Sequence, residues 1–554
     1  MVSSTRPTTE QVRHNKEDLH YLMSNGSYYP NVSSLLSTNA KIGDVVATRG
    51  YYEPNDTGGA IYKITQGVSS DGGDITLGSN KFAKLLMKDS FTFATFGVKY
   101  FDQAAASSND NFISQAISRC RVAQAELLIN GRIYHRKPVV VELYTVIRGI
   151  SYGSDYNFTP RFIKVGNDTS GIPPLAYPGL PDSVPFDIDA GIIVKRQNAL
   201  NDFSRGIILE GFLVQSLSKS TYALYAPHMV DFSIHIDSRG FNGGIYTNVA
   251  YLGSFKGRHV GLTSGAVDTT LAIGWRSEHF STVLDCGNTV RANLSFNGFN
   301  RGIQVEYYGN LYLDLCTFEG IKKQSLTAIT PIVLSAPNST VTGTISCESC
   351  AACLVRATAG SNINLNMSAI FHVTQDNTSD GLIHVLNGGR LEFNQMKVYA
   401  DLSNQLFVHD NGGYLSIPLT ADLVNVNVRS LDPYRLKDYR FSVGNTTTAT
   451  GTTFASGEEV TFSGLNGVTN AALSGGTVQF NSPSLVKVSV FCRGVSSGSV
   501  TFGLNGVSSE NSSGGQTVSL ITPVVSGDIL NIKAVGALTL SATSGIRVTI
   551  EQLR

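Results

Sequence analysis

Ser295-Phe296-Asn297-Gly298-Phe299 is followed 22 residues later by Thr317-Phe318-Glu319-Gly320-Ile321. The two segments share one pattern: a hydroxyl, a phenylalanine, a polar residue, a glycine and an apolar residue. Gly287-Asn288 and Gly309-Asn310 keep the same offset upstream. Ile345-Ser346-Cys347-Glu348-Ser349 then follows 29 residues after Cys316-Thr317-Phe318-Glu319-Gly320. Similar short runs recur between about residues 205 and 420, at Val230–Ile234, Ile363–Met367 and Gly389–Phe393. Self-similarity at such a period marks stacked repeats. The runs alternate apolar and polar with period two, so each reads as a strand with one face buried. Turn pairs such as Asn-Gly and Gly-Gly separate them, with no helical stripe between. A turn of short strands alone predicts a parallel β-helix, whose flat outer wall suits an extended polymer.

Composition narrows the classes. The chain has 554 residues, which calls for more than one core. Its 42 basic and 42 acidic residues cancel, so nothing points to nucleic acid or an anionic membrane. Met1–Asn25 is charged and polar, so no secretory leader is expected. No run of about 18 apolar residues predicts a membrane span. Seven cysteines form no secreted disulfide framework.

Five stretches of distinct pattern predict the organisation. Residues 1–30 read as an N-terminal tail or anchor. Residues 31–90 read as a small β domain, with a strand at Val45–Thr48, a turn at Glu53–Gly59 and a return strand at Ala60–Ile64. Residues 91–430 read as the β-helix. It is opened by a short cap helix with helical spacing at Phe112, Ala116 and Ile117, then a strand near Glu126–Ile129. Such a helix covers strand edges that an open coil end exposes. Residues 150–190, rich in Pro, Gly and Asp, read as a loop excursion. Residues 431–554 read as an antiparallel sandwich of jelly-roll type, with strands at Val460–Phe462, Val478–Phe480, Val486–Val490, Ser499–Phe502, Ile529–Ile532 and Ile546–Ile550. It would serve trimerisation or carbohydrate binding.

Gly43-Asp44-Val45-Val46-Ala47-Thr48-Arg49-Gly50-Tyr51-Tyr52 with Asp56-Thr57-Gly58-Gly59-Ala60-Ile61-Tyr62 resembles the small domain, a particle-binding or neck piece, that opens many bacteriophage tailspikes. Phe96-Gly97-Val98-Lys99 with Asn111–Ile117 resembles the entry motif of pectate-lyase-like right-handed β-helices, with Tyr100-Phe101-Asp102 in place of the usual Gly-Asp-Gly centre. The resemblance implies a homotrimeric virion tail protein, made in the host cytoplasm. It implies attachment to the phage tail or baseplate, or to another spike, through the N-terminus. The implied substrate is a bacterial capsular polysaccharide or lipopolysaccharide O-chain. The implied reaction is usually endo-hydrolysis, less often lyase cleavage or deacetylation. No cofactor is implied, and the family has no shared catalytic motif to carry over.

Glycoside hydrolysis needs two carboxyl groups. The repeat puts Asn297, Glu319 and Glu348 in one column, turned outward because Phe296, Phe318 and Cys347 point inward. Stacked carboxylates repel, which separates an acid from a base; alternatively each is merely solvated. A second cluster is Trp275-Arg276-Ser277-Glu278-His279, with Asp285 behind it. It holds the only Trp, which either stacks on sugar or fills a corner of the coil. A third is Glu306-Tyr307-Tyr308 with Asp314. Glu306 aligns with Leu284 and Leu334, so it is either inward and paired or exposed at a bend. The catalytic candidates are thus Glu319, Glu348, Glu306, Glu278, Asp285 and Asp314. The substrate-binding candidates are Trp275, Arg276, His279, Arg301, Tyr307 and Tyr308. Cys347, Cys350 and Cys353 have metal-like spacing without a nearby His, so they read as buried apolar residues and no metal is expected. A non-catalytic adhesive spike is the competing function. A lyase would need a base such as His235, His259 or His279.

Overall fold

Asp56 organises the first element. Its carboxylate accepts the amides of Tyr51 at 2.9 Å, Tyr52 at 2.7 Å, Glu53 at 3.1 Å and Gly58 at 2.8 Å. The turn so held joins Val45–Thr48 to Ile61–Gln66 as antiparallel neighbours. In this computed structural model they belong to a five-stranded sheet with Ile75–Gly78, Lys81–Leu85 and Ser27–Tyr29. Ser27–Tyr29 pairs parallel to Val46–Thr48, so the sheet takes up the end of the segment read as tail.

The structure describes residues 27–430 and 443–552, apart from several segments. The longest of these are 151–158, 171–188, 196–202, 263–271, 279–286, 323–330, 372–382 and 457–470. The strand expected at Val460–Phe462 lies outside the described residues. Two compact units divide the chain, residues 1–294 and 295–554.

In the first unit the cap helix runs over Ala106–Ala123, longer than the spacing predicts. It buries Asn109, Ile113, Ala116, Ile117 and Cys120, while Phe112 is only half-buried. Asp102, in the segment replacing the usual motif centre, accepts the amides of Ala104 at 3.0 Å and Ala105 at 3.3 Å at the helix start. Asn109 ties the helix to the coil through the carbonyls of Lys99 and Tyr134, at 3.0 and 2.9 Å. Two parallel sheets follow. One stacks Glu126–Ile129, Val146–Gly149, Ser204–Ser216, His228–Phe241 and Val249–Gly261. The other stacks Val139–Val141, Ala190–Val194, Tyr222–Tyr225, Gly243–Thr247 and Ile273–Ser277. Arg161–Lys164 is not part of an excursion: it pairs with Arg132–His135 on one side and Leu213–Ser216 on the other.

The second unit repeats the pattern. Leu311–Glu319, Thr340–Glu348, Asn362–Phe371 and Arg390–Tyr399 stack in one parallel sheet. Arg301–Gln304, Ile332–Ser335, Cys353–Ala357, Ile383–Val385, Gln405–His409 and Val426–Ser430 stack in the other. The alternation expected of the repeat is present: Phe296, Phe318, Ile345 and Cys347 are at most 1% exposed. The Phe296 and Phe318 rings stack with centroids 5.9 Å apart. From Val443 onward the strands are antiparallel, in a four-stranded and a six-stranded sheet. Phe502, Leu530, Ile532 and Ala534 are buried there. The chain is all-β in its architecture, a parallel β-helix preceded in sequence by a mixed, mainly antiparallel sheet and followed by antiparallel sheets.

The first unit's interior carries polar side chains. His259 is buried against Ser238, Oγ to Nδ1 2.8 Å, and burial pushes its pKa down to about 4. His135 is also pushed down to about 4, by burial and then by the neighbouring Lys164. Both sit below the unfolded value of about 6.5. Below pH 6.5 the unfolded chain therefore binds more protons, so stability is complete above that pH and is lost as pH falls towards 4. Thermal melts from pH 7.5 to 4 are expected to show this loss, on the order of 3 kcal/mol per histidine. His259→Gln is expected to flatten the slope.

Candidate functional site: an acidic column on the outer wall

Stacking in register builds the column. Phe318 pairs with Cys347 and Glu319 with Glu348, as Cα neighbours in adjacent parallel strands. Since Phe318 and Cys347 point inward, both glutamates point out and are exposed. Asn297 completes the column, donating from Nδ2 to Glu319 Oε2 at 2.5 Å. A shared bend ends each strand: Gly298, Gly320 and Ser349 have φ of 73°, 61° and 53°. The amide of Gly298 donates to the Glu319 carbonyl at 3.1 Å, and that of Gly320 to the Glu348 carbonyl at 3.0 Å. Glycine suits this left-handed position, and Ser349 holds it at a steric cost. Behind the column Cys347 and Cys350 form a buried sulfur pair, which holds the Cys347 thiol well above its usual range. Cys353 is buried too.

The charge environment separates these two acids from others of the protein. Glu126 and Glu210 each bind Arg148, Glu142 binds Arg121 and Lys195, Glu278 binds Arg276, and Glu392 binds Arg390. Glu319 and Glu348 form no ion pair among the described residues.

The other sequence candidates divide. Trp275 does not face solvent. It is 0% exposed, packs on Phe255 at 5.1 Å and donates from Nε1 to Thr247 Oγ1 at 2.9 Å. Its register partner Ile245 is an inward residue, so Trp275 fills the coil and offers no ring face to a sugar. Arg276 and Glu278 do turn outward, bound to each other. Tyr246 donates its hydroxyl to Glu278 at 3.2 Å and stacks on Tyr225 at 4.8 Å. Burial, then Tyr225 and Glu278, push the Tyr246 phenol well up. His279 and Asp285 lie outside the described residues. Glu306 does not align with Leu334, whose partner is Ile303; it falls half-buried just past Arg301–Gln304. Tyr308 is 0% exposed and is a core residue, whereas Tyr307 is 39% exposed with φ 56°. Arg301 bonds Gln304 on the second sheet. Asp314 is exposed at a bulge between Leu313 and Cys316. Of the lyase bases, His259 is 1% exposed and inside the coil, while His235 stands on the wall.

No protein-family model matches the chain, and no curated protein matches it. Solved structures do match. The Acinetobacter phage vb_AbaP_AS12 gp42 tailspike is 16% identical, with TM-score 0.55, over 73% of this chain and 74% of that one. The fold is that of a bacteriophage tailspike. The Acinetobacter phage vB_ApiP_P1 tailspike protein is 11% identical with TM-score 0.42, over 95% and 98% of the two chains. The tailspike gp49 of Acinetobacter baumannii bacteriophage Fri1, described as a capsular polysaccharide depolymerase, is 11% identical with TM-score 0.35, over the same shares. Within this tailspike fold the missed signal is a second set of wall residues. Glu210, Ser233, His235 and Ser254 converge from three strands of the first unit. Their sequence contexts share no motif, and only the strand register shows that they meet.

Since Trp275 is interior, Trp275→Phe is expected to lower thermal stability while leaving polysaccharide affinity within about twofold. Differential scanning fluorimetry and a binding titration on the same preparation check this.

Proposed function

We propose that the protein is a homotrimeric phage tailspike that endo-hydrolyses a bacterial surface polysaccharide, with Glu319 and Glu348 as its acid–base pair. The observation that supports this most is the pair itself: two exposed, register-paired carboxylates without a counter-cation among the described residues, where Glu126, Glu210, Glu278 and Glu392 each bind an arginine. Like charges so placed repel, an arrangement kept at a cost unless a substrate relieves it. Asn297 orients Glu319 by its hydrogen bond. One coil is about 4.8 Å. That is close to the roughly 5 Å of a retaining pair and short of the roughly 6.5–9.5 Å that leaves room for an inverting water. In this reading one glutamate protonates the glycosidic oxygen and the other attacks the anomeric carbon; water then releases the sugar. Arg276 with Glu278, and Tyr307 with Arg301, are proposed as polysaccharide contacts, and Glu306 and Asp314 as reserve carboxyls. The tailspike fold supports a virion location, with attachment to the phage tail or another spike through the N-terminus. The competing adhesive reading differs only in lacking turnover.

Incubation with a panel of purified capsules and O-chains, read by reducing ends and by ultraviolet absorbance, separates hydrolase, lyase and adhesin. On the cleaved polymer, Glu319→Gln and Glu348→Gln are each expected to slow cleavage by at least about 100-fold with binding intact. The double variant should be no slower than the slower single one. Near wild-type rates in both variants would make the column structural. Sedimentation at micromolar concentration is expected to give a trimer, and a stable monomer would contradict the assembly.

A further inference from the structure

In the first unit, parallel register sets Glu210 beside His235, and His235 beside Lys256. In the adjoining row it sets Ser233 beside Ser254. Leu209, Ile234 and Phe255, their chain neighbours, are at most 1% exposed, so alternation turns the polar set outward. His235 Nε2 lies 3.1 Å from Ser254 Oγ, and its Nδ1 lies 3.8 Å from Glu210 Oε1. Ser233 donates to the same Oε1 at 2.8 Å, and its Oγ lies 3.5 Å from His235 Nε2. Arg148 binds Glu210 Oε2 and is 3.3 Å from Glu126. The carboxylate is thus held from two sides with Oε1 turned to the imidazole.

We propose that Ser254, His235 and Glu210 form a second catalytic site, a serine relay that hydrolyses carboxylic esters of small acyl groups carried on an extended polymer. A serine hydroxyl, an imidazole and a carboxylate in this order are recognised by geometry and role, not by their order along the chain. Glu210 favours the tautomer with a proton on Nδ1, leaving Nε2 to accept from Ser254. The 3.8 Å separation exceeds a hydrogen bond, and catalytic contacts of this kind shorten when substrate binds. A wall that merely needed polar residues would be served equally by threonines and lysines.

The step balances. Ser254 Oγ bonds to the acyl carbon while its proton passes to His235 Nε2, and the carbonyl electrons form an oxyanion. Exposed Lys256 puts positive charge on that face. Collapse breaks the ester C–O bond, and the alcohol leaves with the His235 proton. Water then attacks the acyl-serine, giving its proton to His235, and collapse frees the acid and returns the proton to Ser254. The His235 and Glu210 side chains are 37% and 25% exposed, so the site meets an acyl group displayed at the surface of a chain. This site is independent of the Glu319 column.

The full-length protein is treated with a fluorophosphonate probe and its peptides are read by mass spectrometry, with p-nitrophenyl acetate hydrolysis followed in parallel. The expected result is an adduct on Ser254. Ester turnover should fall at least about 100-fold in Ser254→Ala and in His235→Gln, with the wild-type melting curve. An unlabelled Ser254, an adduct on Ser233 instead, or wild-type ester turnover in Ser254→Ala would each overturn the proposal. The labelling of unmodified protein stands even if a variant misfolds.

Discussion

Hydrogen bonding between like positions of adjacent parallel strands is the constraint on which the rest depends. Parallel pairing aligns residue against residue, so a buried position in one coil demands a buried position in the next. Phe318 over Cys347 and Ile345 over Met367 follow from that demand. The same rule places outward residues in columns, whether or not they attract each other. A functional surface on this fold is therefore assembled by register, with the core acting as the ruler.

That ruler has an electrostatic consequence. Charges in one column stand about 4.8 Å apart and cannot retreat from each other along the strand. Arg148 between Glu126 and Glu210, and Arg276 with Glu278, show the usual remedy. The pair at Glu319 and Glu348 goes without it among the described residues, with Asn297 donating to Glu319. Such exceptions, more than the acids themselves, direct attention to chemistry.

The sequence showed much of the frame. Period-two alternation around Phe296, Phe318 and Cys347 was enough to orient Glu319 and Glu348, because each glutamate follows an unambiguous inward residue. The small sheet was legible from the turn residues at Asp56 to Gly59. Trp275 was not, since a tryptophan next to Arg276 and Glu278 reads equally as a core or a surface residue, and its partner Ile245 is remote in sequence. Glu306 misled because the position opposite Leu334, where its alignment put it, is taken by Ile303 three residues upstream. Arg161–Lys164 hid among prolines and glycines that signal a loop. Glu210, His235 and Ser254 carry no common motif. Their meeting depends on the register of three strands, which runs unbroken through these pairs and shifts only beyond them, at Glu210/Phe212 and Arg239/Phe241.

From His228 onward the coil strands also find their partners only a short way along the chain: His228 meets Val249, Thr340 meets Asn362, and Gln405 meets Val426. Only the early coils wait for a more distant segment, as where Ile147 meets Leu209 and Val139 meets Ile192. With the Ala106–Ala123 helix leading, the emerging polypeptide can wind turn upon turn behind the ribosome, and the growing end always supplies the template for the next strand. Long sheets ordinarily fold slowly because their contacts span the chain. Here, beyond those early coils, the loop to be closed stays short. The sheets after Val443 close far longer loops, as where Val443 pairs with Ile550, and must wait for that distant strand to emerge.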